Sequence, residues 1–240
     1  MKTVWILPCA GAGAGIALLL IFTGCWLGLR KKRLHLKPGI GEWMNALGYA
    51  LLPAVAIYKA FEPYTDIGSK GTAVFDLLPE IPWITENGRF VPGRIEMLLM
   101  LCAFAGICAW LMIRKRDLGP HGDLLGIAMT LWCGVRTVTE SFRAESQVNL
   151  GDWRVIYLVC LAASLLWMVI WTGKRQKRIK NTSQTVLYWF VWVICSAALW
   201  TTISGTLSVG SQIGDLTVIV GCAAARAAVT LATGAESWKE

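Results

Sequence analysis

Histidine is nearly absent from this chain: two residues in 240, His35 and His121. Charge is scarce too, with 16% Asp, Glu, Lys and Arg against 55% hydrophobic residues. The eight cysteines never form a C-x-x-C, and no Cys/His group has zinc spacing. No nucleotide-binding motif occurs. These absences exclude a structural zinc module, a phosphate-loop enzyme and an ordinary soluble domain, which is rarely so apolar. The single cysteines inside apolar runs are expected to be buried small hydrophobes.

What the chain has in quantity is long apolar runs. Repeated stretches of about 20 apolar residues are membrane spans, and continuous runs of that length cross as helices. Seven spans are expected, over residues 4–29, 42–61, 93–113, 121–142, 153–173, 185–207 and 214–234. The fold class is therefore all-α, a polytopic transmembrane bundle. The seventh span is the weakest, being Ala/Gly-rich and holding Arg226; a re-entrant or interfacial helix is its alternative.

The net charge of +8 does not point to nucleic acid. Its basic residues cluster in short loops, at Arg30-Lys31-Lys32-Arg33, Arg114-Lys115-Arg116 and Lys174 to Lys180, with no interleaved aromatics. That is the positive-inside pattern. It places the N-terminus outside, the C-terminus in the cytoplasm, and the loop from Glu62 to Val91 outside. This loop carries Phe75, Leu77, Leu78, Ile81 and Trp83, and is expected to be either an interfacial segment or lid, or an ordered loop packed on the bundle. Phe22-Thr23-Gly24-Cys25 looks like an imperfect lipobox. The apolar run continues past it through Trp26 to Leu29 and stops at a basic cluster, as a retained span does.

Under this topology several charges meet one outer boundary. They are Lys59 and Glu62 at the end of the second span, Arg94 and Glu96 at the start of the third, and Arg136, Glu140 and Arg143 at the end of the fourth. Arg136 and Glu140 are four apart, Glu140 and Arg143 three apart, so both pairs share a helical face. One carboxylate between two guanidiniums leaves spare donors for an anion, and the planar guanidinium fork suits phosphate. A phospholipid headgroup is the ligand this suggests. Charges at span ends also snorkel to water without forming a site; three spans contributing both signs at one depth favour a site. Arg226 is expected to pair with a neighbouring span, and Asp123 to act as a helix cap or dipole partner. The Gly11 to Gly15 run is expected to permit close helix packing, its alternative being room for an acyl chain. A transporter would place polar groups at the midplane, which these charges avoid.

Arg136-Thr-Val-Thr-Glu140-Ser-Phe-Arg143 resembles the R-F-x-x-E-F-x-R that ends the penultimate span of prolipoprotein diacylglyceryl transferases. The three charged positions match; Thr137 and Ser141 replace both phenylalanines, and Trp132 stands where that family often has tyrosine. Val91-Pro-Gly-Arg-Ile-Glu96 is similar to the family's H-P-x-Q-L-Y-E, which aligns Glu96 with its glutamate. Lys59 and Glu62 fall near the arginine and asparagine of its G-R-x-G-N-F region. Gly11 to Gly15 falls on its H-G-G-L region without the histidine, and Gly151 to Thr172 resembles its last span. The resemblance covers about residues 10–175. It departs from the family in two leading spans that are missing and two apolar segments added after Lys180. A transferase-like membrane core over 1–180 and an additional transmembrane hairpin with a short tail over 181–240 follow.

The resemblance implies transfer of a diacylglyceryl group from phosphatidylglycerol to the cysteine thiol of a prolipoprotein lipobox, in a bacterial cytoplasmic membrane and without a cofactor or metal. Arg136, Arg143, Lys59 and Arg94 would bind the phosphate and headgroup. Glu140 would orient the arginines, and Glu96 and Glu62 are the candidates for taking the thiol proton. Neither His35 nor His121 replaces the family histidine, since both are expected in the cytoplasm. The alternative is a diverged, non-catalytic member of the same fold that binds anionic phospholipid or a membrane partner.

Overall fold

The computed structural model describes residues 3–34, 39–62, 71–73, 81, 83–114, 122–143, 149–150, 153–178, 182–206, 208 and 210–235. Among these the elements are, in chain order, α1 (Thr3–Leu34), α2 (Ile40–Ala60), β1 (Thr85–Glu86), β2 (Arg89–Phe90), α3 (Pro92–Arg114), α4 (Asp123–Ser141), β3 (Asn149–Leu150), β4 (Trp153–Arg154), α5 (Val155–Arg178), α6 (Thr182–Ile203) and α7 (Gln212–Ala235). The fold is all-α, a polytopic helical bundle, and each expected span has its helix within a few residues of the expected bounds. The two strand pairs are antiparallel hairpins of two residues a side.

Six of the seven helices are long and apolar enough to cross a membrane. The exception is α4, not the Ala/Gly-rich α7, which is an unbroken helix of 24 residues. Arg136 and Glu140 explain this: they lie in the last two turns of α4 and lower the mean hydropathy of an otherwise apolar helix. Helix α1 runs without interruption through Cys25. His35, His121, Lys115, Arg116 and Lys180 lie outside the described residues, as do Phe75, Leu77 and Leu78 of the long loop.

The chain divides into two compact units, one of residues 1–64 and 93–132, the other of residues 65–92 and 133–240. In the first, α1 packs along α2, and the glycines of α1 make the approach possible. A Cβ at Gly15 would come within 2.9 Å of the Ala54 carbonyl oxygen, and one at Gly11 within 2.7 Å of Phe61 Cβ. Farther along the pair, Tyr49 stacks on Trp26 with ring centroids 4.8 Å apart and meets Phe104 of α3 edge-on at 5.3 Å. Helix α2 also anchors the start of α4. Gly48 lies against the Leu124–Leu125 backbone with no room for a Cβ, and buried Asn45 accepts a hydrogen bond from the Leu124 amide through Oδ1, at 3.0 Å. That bond satisfies one of the amides that a helix start leaves without an internal partner. Asp123, in the first turn of α4, puts negative charge at the positive end of the helix dipole.

In the second unit α7 packs against α6 and α5. Leu199, Ile219 and Ala223 form a buried cluster, with Val138 of α4, Ile203 and Cys222 packed around it. Tryptophans fill the space between α5 and α6: Trp192 donates to the Ser164 hydroxyl at 3.2 Å and Trp189 to the Thr172 hydroxyl at 3.1 Å. Such bonds satisfy the indole N–H, which apolar burial would otherwise penalise.

Candidate anion-binding site

The last turns of α4 carry the central feature of the second unit. Arg136, Glu140 and Arg143 are all buried. Arg136 Nη2 lies 3.0 Å from Glu140 Oε2, and Arg143 Nε lies 3.5 Å from the same oxygen. The i, i+4 and i, i+3 spacings thus do bring the three side chains onto one face. A third guanidinium joins them: Arg154 Nη1 is 3.7 Å from Glu140 Oε1. One buried carboxylate therefore serves three cations.

Arg154 does more than pair. Its Nη1 donates to the Glu140 carbonyl at 2.8 Å and its Nη2 to the Arg143 carbonyl at 3.3 Å. The Glu140 carbonyl also accepts the Arg143 amide at 3.2 Å; the guanidinium adds to this at the end of α4 and complements the helix's negative dipole end. Arg154 stands in β4, whose pairing with β3 returns the chain to this point. It had not been singled out in the sequence. A signal was available, since Arg154 is the only basic residue in the expected fifth span before its cytoplasmic end.

The long loop closes over the same helix end. Thr72 donates its amide to the Phe142 carbonyl at 2.8 Å, and Gly71 pairs with Arg143 as an isolated bridge. Phe90 donates its amide to the Thr72 carbonyl at 3.0 Å and sets its ring edge-on to Phe142, centroids 5.0 Å apart. The described part of the loop is therefore an ordered packed segment. Beside it lies a cavity of about 260 Å³, lined by Thr72, Ser141, Phe142, Gln212, Asp215 and Ile219 among others.

The first unit gathers the other charges. Lys59 Nζ lies 3.1 Å from Glu62 Oε1 and 3.4 Å from Glu96 Oε2. Glu96 is completely buried and Lys59 nearly so. Gly93, one turn before Glu96, leaves room for the Glu62 carboxylate: a Cβ there would sit 2.5 Å from Glu62 Oε2. Two carboxylates thus share the Lys59 ammonium. Arg94 is half-buried in the first turn of α3.

Arg226, expected to pair with a neighbouring span, donates from Nη2 to the Thr137 hydroxyl of α4 at 3.3 Å. Among the described residues no group of three or more His, Cys, Asp or Glu is placed to hold a metal ion. No family model matches the chain, nor does any curated protein or solved structure.

Proposed function

We propose that this membrane protein binds the phosphate of an anionic phospholipid at the Arg136–Glu140–Arg143–Arg154 cluster and transfers the lipid's diacylglyceryl group to a cysteine thiol. The observation that carries the proposal is the Glu140 carboxylate held among three guanidiniums. Glu140 fixes the arginines, and their planar forks suit phosphate oxygens at headgroup depth. The rest follows the resemblance to prolipoprotein diacylglyceryl transferases. The sulfur of a lipobox cysteine attacks the glyceryl carbon of phosphatidylglycerol. The carbon–oxygen bond to phosphate breaks, and glycerol phosphate departs with the electron pair. Arg136 and Arg143 stabilise the charge that grows on the phosphate. Glu96 or Glu62 takes the thiol proton, with Lys59 as an auxiliary cation and Arg94 at the headgroup.

The test is a reconstituted membrane with phosphatidylglycerol and a lipobox peptide, read by the mass of the modified peptide. The wild-type protein produces diacylglyceryl peptide, and Arg136→Ala lowers the rate by about a hundredfold, the usual loss when a donor to a developing anion is removed. Absence of transfer by the wild-type protein overturns the enzyme. A second function, a non-catalytic binder of anionic lipid, is favoured by one observation: Lys59 holds both candidate bases in ion pairs. Retention of the protein on phosphatidylglycerol vesicles, with no transfer, is its signature.

A further inference from the structure

Helix α7 carries an arginine at mid-span. Arg226 stands 14 residues from Gln212 and nine from Ala235, about 21 Å and about 14 Å along the axis at 1.5 Å per residue. A charge at that depth is costly and turns to protein or water rather than lipid. Arg226 is only 5% exposed. Its guanidinium stays protonated in proteins and carries five N–H donors. Among the described residues it makes one hydrogen bond, from Nη2 to the Thr137 hydroxyl at 3.3 Å, and no carboxylate lies within ion-pair distance of it. The nearby hydroxyls supply no charge and have their own acceptors. Thr137 donates to the Cys133 carbonyl at 2.7 Å, and Thr230 to the carbonyl of Arg226 itself at 2.8 Å. Buried charges in native proteins are paired, because an uncompensated one is costly in a low-dielectric interior.

Space lies beside this charge. Gly134 of α4 faces Ala227 of α7, the neighbour of Arg226. A Cβ built on Gly134 would meet a single atom within 4 Å, Ala227 Cβ at 3.7 Å, which is an ordinary contact. Both residues are half-buried, so α4 and α7 leave a narrow gap at this level. Gly134 is three residues before Thr137 and shares its face of α4, so the gap opens beside the hydroxyl that Arg226 reaches. All of these residues belong to the second unit.

We propose that Arg226 binds a small monovalent inorganic anion, chloride or another halide, in the gap between α4 and α7. The ligands are the guanidinium donors that Thr137 leaves over. Depth and charge select the class. A phospholipid phosphate stays at the ends of the spans and does not reach mid-span. A divalent anion would leave a net negative charge in the interior, whereas one monovalent anion neutralises the arginine. The anion and Arg226 together fasten α7 to the turn of α4 that holds Thr137, next to Arg136. This site is independent of the lipid chemistry above.

The test is equilibrium binding of radiolabelled chloride to the full-length protein in phosphatidylcholine nanodiscs, with sodium gluconate as the background salt. The wild-type protein should bind chloride saturably, bromide should displace it, and sulfate should not. The thermal midpoint should rise with chloride in parallel, since an anion held only by the folded state stabilises it. Arg226→Gln should weaken the affinity about tenfold or more, because a hydrogen bond from a charged group is worth at least that factor. Arg226→Lys should recover part of it by restoring the charge. Gly134→Ala puts a methyl group into the gap at an ordinary contact distance and should weaken binding with Arg226 intact. If Arg226→Gln does not fold, Gly134→Ala decides, and wild-type affinity in that variant overturns the site. The proposal is also overturned if the wild-type protein binds no chloride, or if Arg226→Gln binds it at wild-type affinity. Displacement by sulfate as readily as by bromide overturns it too, placing the anion among the arginines at the end of α4.

Discussion

Glu140 shows what one residue can hold together. Its carboxylate is 1% exposed and lies against Arg136, Arg143 and Arg154. Replacing Glu140 removes the one carboxylate that three guanidiniums share, and breaking a buried pair costs more than a surface ion pair contributes. Glu140→Gln is therefore expected to destabilise the protein by about 3 kcal/mol, seen as a lower thermal midpoint in detergent. Arg154→Ala removes two hydrogen bonds to the α4 carbonyls as well as a weaker ion pair. It should cost about 2 kcal/mol, since hydrogen bonds from charged donors are worth more than neutral ones. A midpoint unchanged by Glu140→Gln would mean that the three arginines are neutralised without it. Function separates the two clusters differently: the proposed base assignment requires Glu96→Gln together with Glu62→Gln to abolish transfer, and transfer that survives both refutes it. Most of these residues were legible in the sequence because helical spacing alone puts 136, 140 and 143 on one face. Arg154 was not, because its role depends on a hairpin return that no periodicity encodes.

Helices in this protein approach one another where glycine permits. Gly48 and Gly13 make a controlled comparison. At Gly48 an added Cβ would lie 2.6 Å from the Leu124 carbonyl oxygen, and backbone cannot swing aside as a side-chain tip can. Gly48→Ala should push α2 from the start of α4, strain the Asn45 cap and cost about 3 kcal/mol, at the upper end for an overpacked core. At Gly13 a Cβ would meet nothing within 4 Å, so Gly13→Ala gains helix propensity and should stabilise by about 0.5 kcal/mol. Thermal midpoints of both variants in the same detergent check the pair, and equal midpoints would refute the packing account. Elements of this size were readable from apolar run length and basic stops, and the small-residue run of α1 does pack, through Gly11 and Gly15. The β1–β2 hairpin was not anticipated, although Asn87-Gly88 carries its signal. Both residues have positive φ, 51° and 69°, the geometry that a two-residue turn between twisted strands requires and that Asn-Gly tolerates. Its apolar neighbours masked that signal, since they also fit an interfacial segment.

For the whole molecule the deciding question is how α4 stands in the bilayer, because its crossing sets the parity of the spans. Its 19 residues make about 28 Å of helix at 1.5 Å per residue, close to the hydrocarbon thickness. Hydropathy alone sets it apart from the other six helices, but hydropathy scores each residue as though it faced lipid. In α4 the charged and hydroxyl groups are inward: Arg136, Thr137, Thr139 and Glu140 are buried, and their partners are protein groups. The penalty for intramembrane charge falls when the charge pairs inside a bundle. With α4 crossing there are seven spans, and the two ends of the chain lie on opposite sides of the membrane. The positive-inside rule then selects the N-terminus outside, since the clusters around residues 30–33, 114–116 and 174–180 must share the cytoplasmic side. Reporter fusions at Met1, in the Glu62 to Val91 loop and at Glu240 check this: the first two should report the outside and the last the cytoplasm. A C-terminal reporter active on the same side as the N-terminal one would mean that six helices cross, and would take the Arg136–Glu140–Arg143 cluster away from the boundary where a phospholipid phosphate can reach it.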